Sequence, residues 1–149
     1  MRAVLQRVSS ASVSVNGELI NSIEEGLMVL LGVKCGDSSS DVDYIADKIT
    51  NLRIFDDENG VMNMPVSHVG GNVLLISQFT LYGDARKGRR PSYSDAEKGD
   101  EANGKYLMVA DKLKKNGLNV KLGVFGADMK VQLVNNGPVT ILIDSEKVI

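Results

Sequence analysis

Two short segments carry the residues best suited to chemistry, Ser77-Gln78-Phe79-Thr80-Leu81-Tyr82 and Asn135-Asn136-Gly137-Pro138-Val139-Thr140. Each sets amides, small hydroxyls and main-chain polar groups at the mouth of an apolar strand. Alternation along a strand puts Leu74, Ile76, Gln78 and Thr80 on one face and Val73, Leu75, Ser77 and Phe79 on the other. Gln78 and Thr80 are therefore expected side by side, where the apolar run turns polar and Gly83-Asp84 ends the ladder. Backbone N–H groups freed there suit a developing oxyanion, for which one donor is worth about 3 kcal/mol in other enzymes. The plainer reading has Gln78 and Thr80 pairing with a neighbouring strand. In the second segment Pro138 lacks a donor and makes the Gly137-Pro138 peptide a candidate for cis geometry, with its carbonyls held rigidly. Its plainer reading is a turn between two strands.

Main-chain chemistry suits a chain this poor in other reagents. One histidine (His68), one cysteine (Cys35) and no tryptophan leave no His-rich metal site or cysteine cluster, and any Ser/His/Asp triad hangs on His68. Cys35 follows the apolar run Leu27 to Val33 and reads as a strand-end thiol, with no disulfide framework and a fit to a reducing compartment. His68, between Pro65 and Gly70-Gly71, reads as a loop residue facing solvent. No metal or other cofactor is expected.

The elements that must position these residues are mostly strands. Apolar or alternating runs rich in Val, Ile and Leu lie at 3–8, 12–15, 18–23, 27–33, 72–79, 120–122, 130–134 and 139–143. Asn16-Gly17 marks a two-residue hairpin turn, since both residues tolerate positive φ. Asp57-Glu58-Asn59-Gly60 reads as another tight turn and not as a calcium loop, because Phe55 stands where the first carboxylate ligand belongs. Val42, Ile45, Ala46 and Ile49 repeat at helical spacing after Ser38-Ser39-Ser40, as do Tyr106, Val109, Ala110 and Leu113 before Gly117. Ser94 and Glu97 have capping-box spacing, but Gly99 and Gly104 weaken the turns that follow and argue for a later start. The predicted fold is α+β, one domain over residues 1–149, a largely antiparallel sheet or partly closed β-barrel with two helices packed outside.

At 149 residues, 43% hydrophobic and 24% charged, the chain can bury one sizeable core. The amino terminus lacks a signal-peptide hydrophobic stretch and no apolar run is long enough for a membrane, so a cytoplasmic protein is expected. A net charge of −2 argues against wrapping duplex, so DNA is not an expected partner, but it permits gripping one RNA end. Arg86, Lys87, Arg89 and Arg90 gather four of the 17 cations in one loop, which reads either as a solvated turn or as contacts to phosphates.

Together the two segments closely resemble the signatures of the D-aminoacyl-tRNA deacylase family, also called D-tyrosyl-tRNA deacylase: Ser-Gln-Phe-Thr, complete at Ser77 to Thr80, and Asn-x-Gly-Pro-x-Thr, complete at Asn135 to Thr140. The likeness runs from Met1-Arg2-Ala3-Val4 through Asn51-Leu52-Arg53-Ile54-Phe55 and Gly126-Ala127-Asp128-Met129 to Asp144, with Gly83 where alanine is expected. The resemblance implies hydrolysis of the ester between a D-amino acid and the terminal adenosine of tRNA, by a homodimer. It implies that a cis Gly137-Pro138 reaches into the other subunit's pocket and rejects L side chains, leaving D side chains and glycine acceptable. It further implies that the Phe79 and Thr80 amides hold the ester carbonyl, that Gln78 orients the substrate, and that the tRNA 2′-hydroxyl activates water. Ser77, Phe125, Met129, Asn135, Val139 and Thr140 resemble the substrate-binding set, and Arg86, Lys87, Arg89 and Arg90 become candidate tRNA phosphate contacts. Two rivals stay open: Thr80 as a nucleophile, for which no base is evident, and a noncatalytic β-module that binds RNA ends.

Overall fold

In the computed structural model, which describes residues 1–149, one long strand organises the rest. β1 (Arg2–Val15) is antiparallel to β2 (Glu18–Ile23) through its second half and to β3 (Gly26–Gly32) through its first, while β8 (Met129–Asp144) follows its other edge throughout. The Asn16-Gly17 turn joins β1 to β2 with both residues at positive φ, as expected. β6 (Asn72–Ser77) and β7 (Asn119–Leu122) extend the sheet in the order β2-β1-β3-β6-β7. The end strands of that path meet where the Asn21 Nδ2 donates to the Leu122 carbonyl at 2.7 Å, so the sheet is a nearly closed barrel.

The sheet is largely antiparallel, as expected, but two of its ladders are not, and one expectation about the strands needs correcting. The sheet is mixed, because β3–β6 and β6–β7 are parallel. Parallel neighbours need crossovers, and these carry α1 (Ser39–Asn51), the hairpin β4 (Phe55–Asp56) and β5 (Met62–Met64), and α2 (Gly99–Lys115). The runs at 3–8 and 12–15 are one strand, and so are those at 130–134 and 139–143. Asn135 to Pro138 is thus no turn between strands. It is a bulge in β8: Gln6 faces Thr140 and Val8 faces Asn135, so β8 spends five residues where β1 spends two.

The two faces of the sheet bury different clusters. Leu27, Val29, Leu31, Val73 and Leu75 pack outward against the helix stripes Val42, Ile45, Ala46, Ile49 and Tyr106, Val109, Ala110, Leu113. Val8, Val13, Ile23, Met28, Leu74 and Ile76 fill the barrel side. The 57–60 turn is confirmed and braced, Asp57 Oδ1 accepting from the Asn59 and Val61 amides at 2.8 and 3.0 Å. His68 sits in a short 3-10 helix, Val66–Val69, and is exposed. No helix is long and apolar enough to cross a membrane.

The two helices begin differently. α2 starts at Gly99 after Lys98, so Ser94 and Glu97 form no capping box. α1 does have one, for Asp41 Oδ2 accepts the Ser38 amide at 2.8 Å. That bond, with help from Ser145, pulls the Asp41 pKa down to about 2. A pKa lowered by folding adds stability above the unfolded value near 4 and loses it as pH falls toward 2. Asp41→Asn is therefore expected to cost about 1 kcal/mol at neutral pH, small because the group is only half-buried, and nothing below about pH 2. Urea midpoints at both pH values check this, and an equal loss at both would refute the electrostatic origin.

Candidate active site

β6 carries its alternation only to Ser77. There Gln78 N–H makes the last ladder bond, to the Leu31 carbonyl at 2.7 Å, and the chain tightens into a 3-10 turn over Phe79–Tyr82. The strand expected to reach Phe79 therefore ends two residues early. Gln78 and Thr80 nonetheless meet, since the Gln78 Nε2 donates to Thr80 Oγ1 across the turn. Inside the turn the Leu81 and Gly83 amides donate to the Gln78 and Thr80 carbonyls at 3.3 and 2.9 Å. The Phe79 and Thr80 amides, the first of the turn, have no acceptor among these bonds, the ordinary condition of a helix start.

These amides sit beside a cleft of about 240 Å3 lined by Ile76, Ser77, Gln78, Phe79, Asp128, Met129 and Val131. A narrower crevice behind it adds Tyr106 and Phe125 to Ser77, Gln78 and Phe79. Ser77, Gln78, Phe79, Phe125 and Met129 are thus gathered in one place. Ionisable groups there are already engaged: Asp128 pairs with Lys130 at 3.0 Å and Glu97 with Lys105 at 3.6 Å. Tyr106 donates its hydroxyl to the Leu75 carbonyl at 2.7 Å, and burial raises its pKa to about 12, which keeps it neutral. No general base stands free in the cleft.

Gly137 and Pro138 line neither cavity. Their peptide bond is cis and crowns the β8 bulge. The rest of the motif braces that corner: Asn135 Oδ1 accepts the Val139 amide at 3.1 Å while its Nδ2 donates to Thr140 Oγ1 at 3.0 Å. Arg7 adds a brace that sequence reasoning missed. Nearly buried, it donates from Nε to the Asn136 carbonyl at 2.9 Å and from Nη1 to the Ile54 carbonyl at 3.0 Å, and it pairs with Asp56 at 3.2 Å. Asn135, Val139 and Thr140 therefore serve the corner within their own chain.

The cationic loop divides. Arg86 forks onto Asp84, with Nε to Oδ1 and Nη2 to Oδ2 both at 2.8 Å, and the Asp84 carboxyl is held well below the usual range mainly by that side chain. Lys87, Arg89 and Arg90 are exposed and form no ion pair. The largest cavity, about 430 Å3, is lined by Arg2, Lys34, Tyr82, Arg86 and Asp95. Its cations already hold carboxylates, Arg2 on Asp144 at 2.9 Å and Lys34 on Glu146 at 2.5 Å.

Known proteins resemble this chain in sequence and in fold. The family model described as D-Tyr-tRNA(Tyr) deacylase matches residues 4–144. The D-aminoacyl-tRNA deacylase of Clostridioides difficile is 56% identical over 147 residues, and that of Thermoanaerobacter pseudethanolicus 54% over 148, each covering 99% of both chains. A solved structure described as c-Myc DNA Unwinding Element Binding Protein superposes with TM-score 0.90 at 40% identity, over 97% of this chain and 98% of the other. A probable eukaryotic D-amino acid tRNA deacylase shares the fold, with TM-score 0.81 at 15% identity over 95% and 97% of the two chains. The chain belongs to the D-Tyr-tRNA(Tyr) deacylase family, hydrolases that deacylate D-aminoacyl-tRNA.

Proposed function

We infer that this deacylase reads chirality with main chain and borrows its reactive hydroxyl from the substrate. One domain, residues 1–149, takes the aminoacylated 3′ end of tRNA in the cytoplasm. The terminal adenosine lies along Phe125 and Met129, and Ser77 and Gln78 orient the ester. Water, polarised by the ribose 2′-hydroxyl, adds to the ester carbonyl carbon. The resulting oxyanion takes the Phe79 and Thr80 N–H groups, and collapse breaks the bond to the ribose 3′-oxygen, which leaves with the proton. The observation that carries this reading is the pair of unengaged amides beside a cleft with no free base. Thr80 as nucleophile fares worse, because its hydroxyl meets only the Gln78 amide, which is no base.

Selectivity is assigned to a homodimer, in which the Gly137-Pro138 corner of one subunit enters the other's cleft. Support comes from β8, which pairs on one edge only and leaves Val134 and Leu142 about 60% exposed, 57% and 60% respectively. Carbonyls on a stiff corner collide with an L side chain and leave a D side chain free, so Asn135, Val139 and Thr140 act by holding that corner, and glycyl-tRNA is accepted. The test presents D-tyrosyl-tRNA, L-tyrosyl-tRNA and D-tyrosyl-tRNA ending in 2′-deoxyadenosine. The first is expected to lose its ester rapidly, the second to persist, and the third to react about a hundredfold more slowly, while Thr80→Ala keeps turnover on the first. Equal rates on the normal and deoxy substrates would remove the RNA-assisted step.

A further inference from the structure

The turn that holds the amides also begins a loop whose design the hydrolysis leaves unexplained. Residues 84 and 92 close that loop as an antiparallel bridge, with the Asp84 amide donating to the Ser92 carbonyl at 2.8 Å and the Ser92 amide to the Asp84 carbonyl at 2.9 Å. At its base lies an aromatic pair: the Phe79 and Tyr93 rings meet edge to face at 5.2 Å and 67°. Phe79 is 55% exposed and Tyr93 half-buried, so part of each ring is open to solvent. At its tip stand Lys87, Arg89 and Arg90, exposed and without counter-ions. Phe79 borders the cleft and opens the turn that leads into this loop.

We propose that this loop is a platform for the single-stranded 3′ tail of tRNA, with the unpaired base that precedes the terminal adenosine stacked on the Phe79–Tyr93 pair and the tail phosphates on Lys87, Arg89 and Arg90. Aromatic faces followed by exposed cations bind single strands without reading sequence, because every base offers a π-face and every nucleotide a phosphate. Arg86 takes no part, its guanidinium being consumed by Asp84. A Cβ at Gly83 would stand 3.0 Å from the Tyr93 ring and 3.0 Å from the Thr80 carbonyl, so glycine is what lets the ring lie against the turn. The platform rests on the reading of the cleft as the seat of the aminoacylated end.

The test compares D-tyrosyl-tRNA with the D-tyrosyl ester of adenosine, which has no tail. For Tyr93→Ala the KM for tRNA is expected to rise at least about fivefold with kcat little changed, while the adenosine ester is unaffected and Tyr93→Phe behaves as the parent. Replacing Lys87, Arg89 and Arg90 together by Ala is expected to reduce the slope of log affinity against log salt by about 2. If the parent enzyme prefers tRNA but Tyr93→Ala keeps that preference intact, the platform is wrong. If the parent shows no preference between the two esters, the tail reading itself falls.

Discussion

Phe79→Pro is expected to lower kcat on D-tyrosyl-tRNA by about a hundredfold to a thousandfold relative to Phe79→Ala. Both variants lose the ring, and only proline also loses the N–H, so their ratio isolates one oxyanion donor. The backbone favours the experiment. Phe79 is the first residue of the 3-10 turn, where proline is well tolerated, and its amide makes no bond whose loss would unfold the turn. Gln78, with φ −144° and ψ 82°, already lies outside the helical region that a following proline disfavours. Because the donor engages only the charged intermediate, KM is expected to change far less than kcat. Single-turnover rates for the two variants, with circular dichroism to confirm equal folding, check this. A ratio near one would show that the Phe79 amide plays no part in the chemistry.

The residues explain which parts of this molecule could be read in advance. Helical spacing at Val42 to Ile49 and Tyr106 to Leu113 names the buried stripes because a helix repeats its face within one turn. The Asn16-Gly17 turn was legible because it rests on local φ alone. Strand direction was not. The apolar runs of β3, β6 and β7 report burial, but their parallel order is fixed by crossovers through α1 and α2. Similarly, the polar end of β6 was visible at Ser77-Gln78, whereas the 3-10 turn that follows starts where Gln78 satisfies Leu31 in another strand. Arg7 escaped notice for the same reason. Its carbonyl partners lie 47 and 129 residues away, and nothing within β1 distinguishes it from an ordinary alternating polar residue.

Gly137→Ala is expected to cut the preference for D- over L-tyrosyl-tRNA by about a hundredfold, with D-tyrosyl-tRNA turnover falling as well. Gly137 has φ +133°, a region that L side chains rarely adopt. Its added Cβ would lie 2.8 Å from Val139 Cγ2 and 3.0 Å from both the Val139 amide nitrogen and Arg7 Nη2. Little can give way, since Val139 N–H is tied to Asn135 and the Arg7 guanidinium is held on Asn136, Ile54 and Asp56. The methyl group therefore displaces the corner itself. On the proposed reading this moves the carbonyls that collide with an L side chain, and a shift near 1 Å is enough to spoil such a filter. Specificity constants for both substrates, with melting curves to exclude unfolding, decide the matter. A folded variant that loses activity on D-tyrosyl-tRNA but gains none on the L form would place discrimination elsewhere, whereas a rise on the L form would fix it at this corner, where no side chain contacts the substrate.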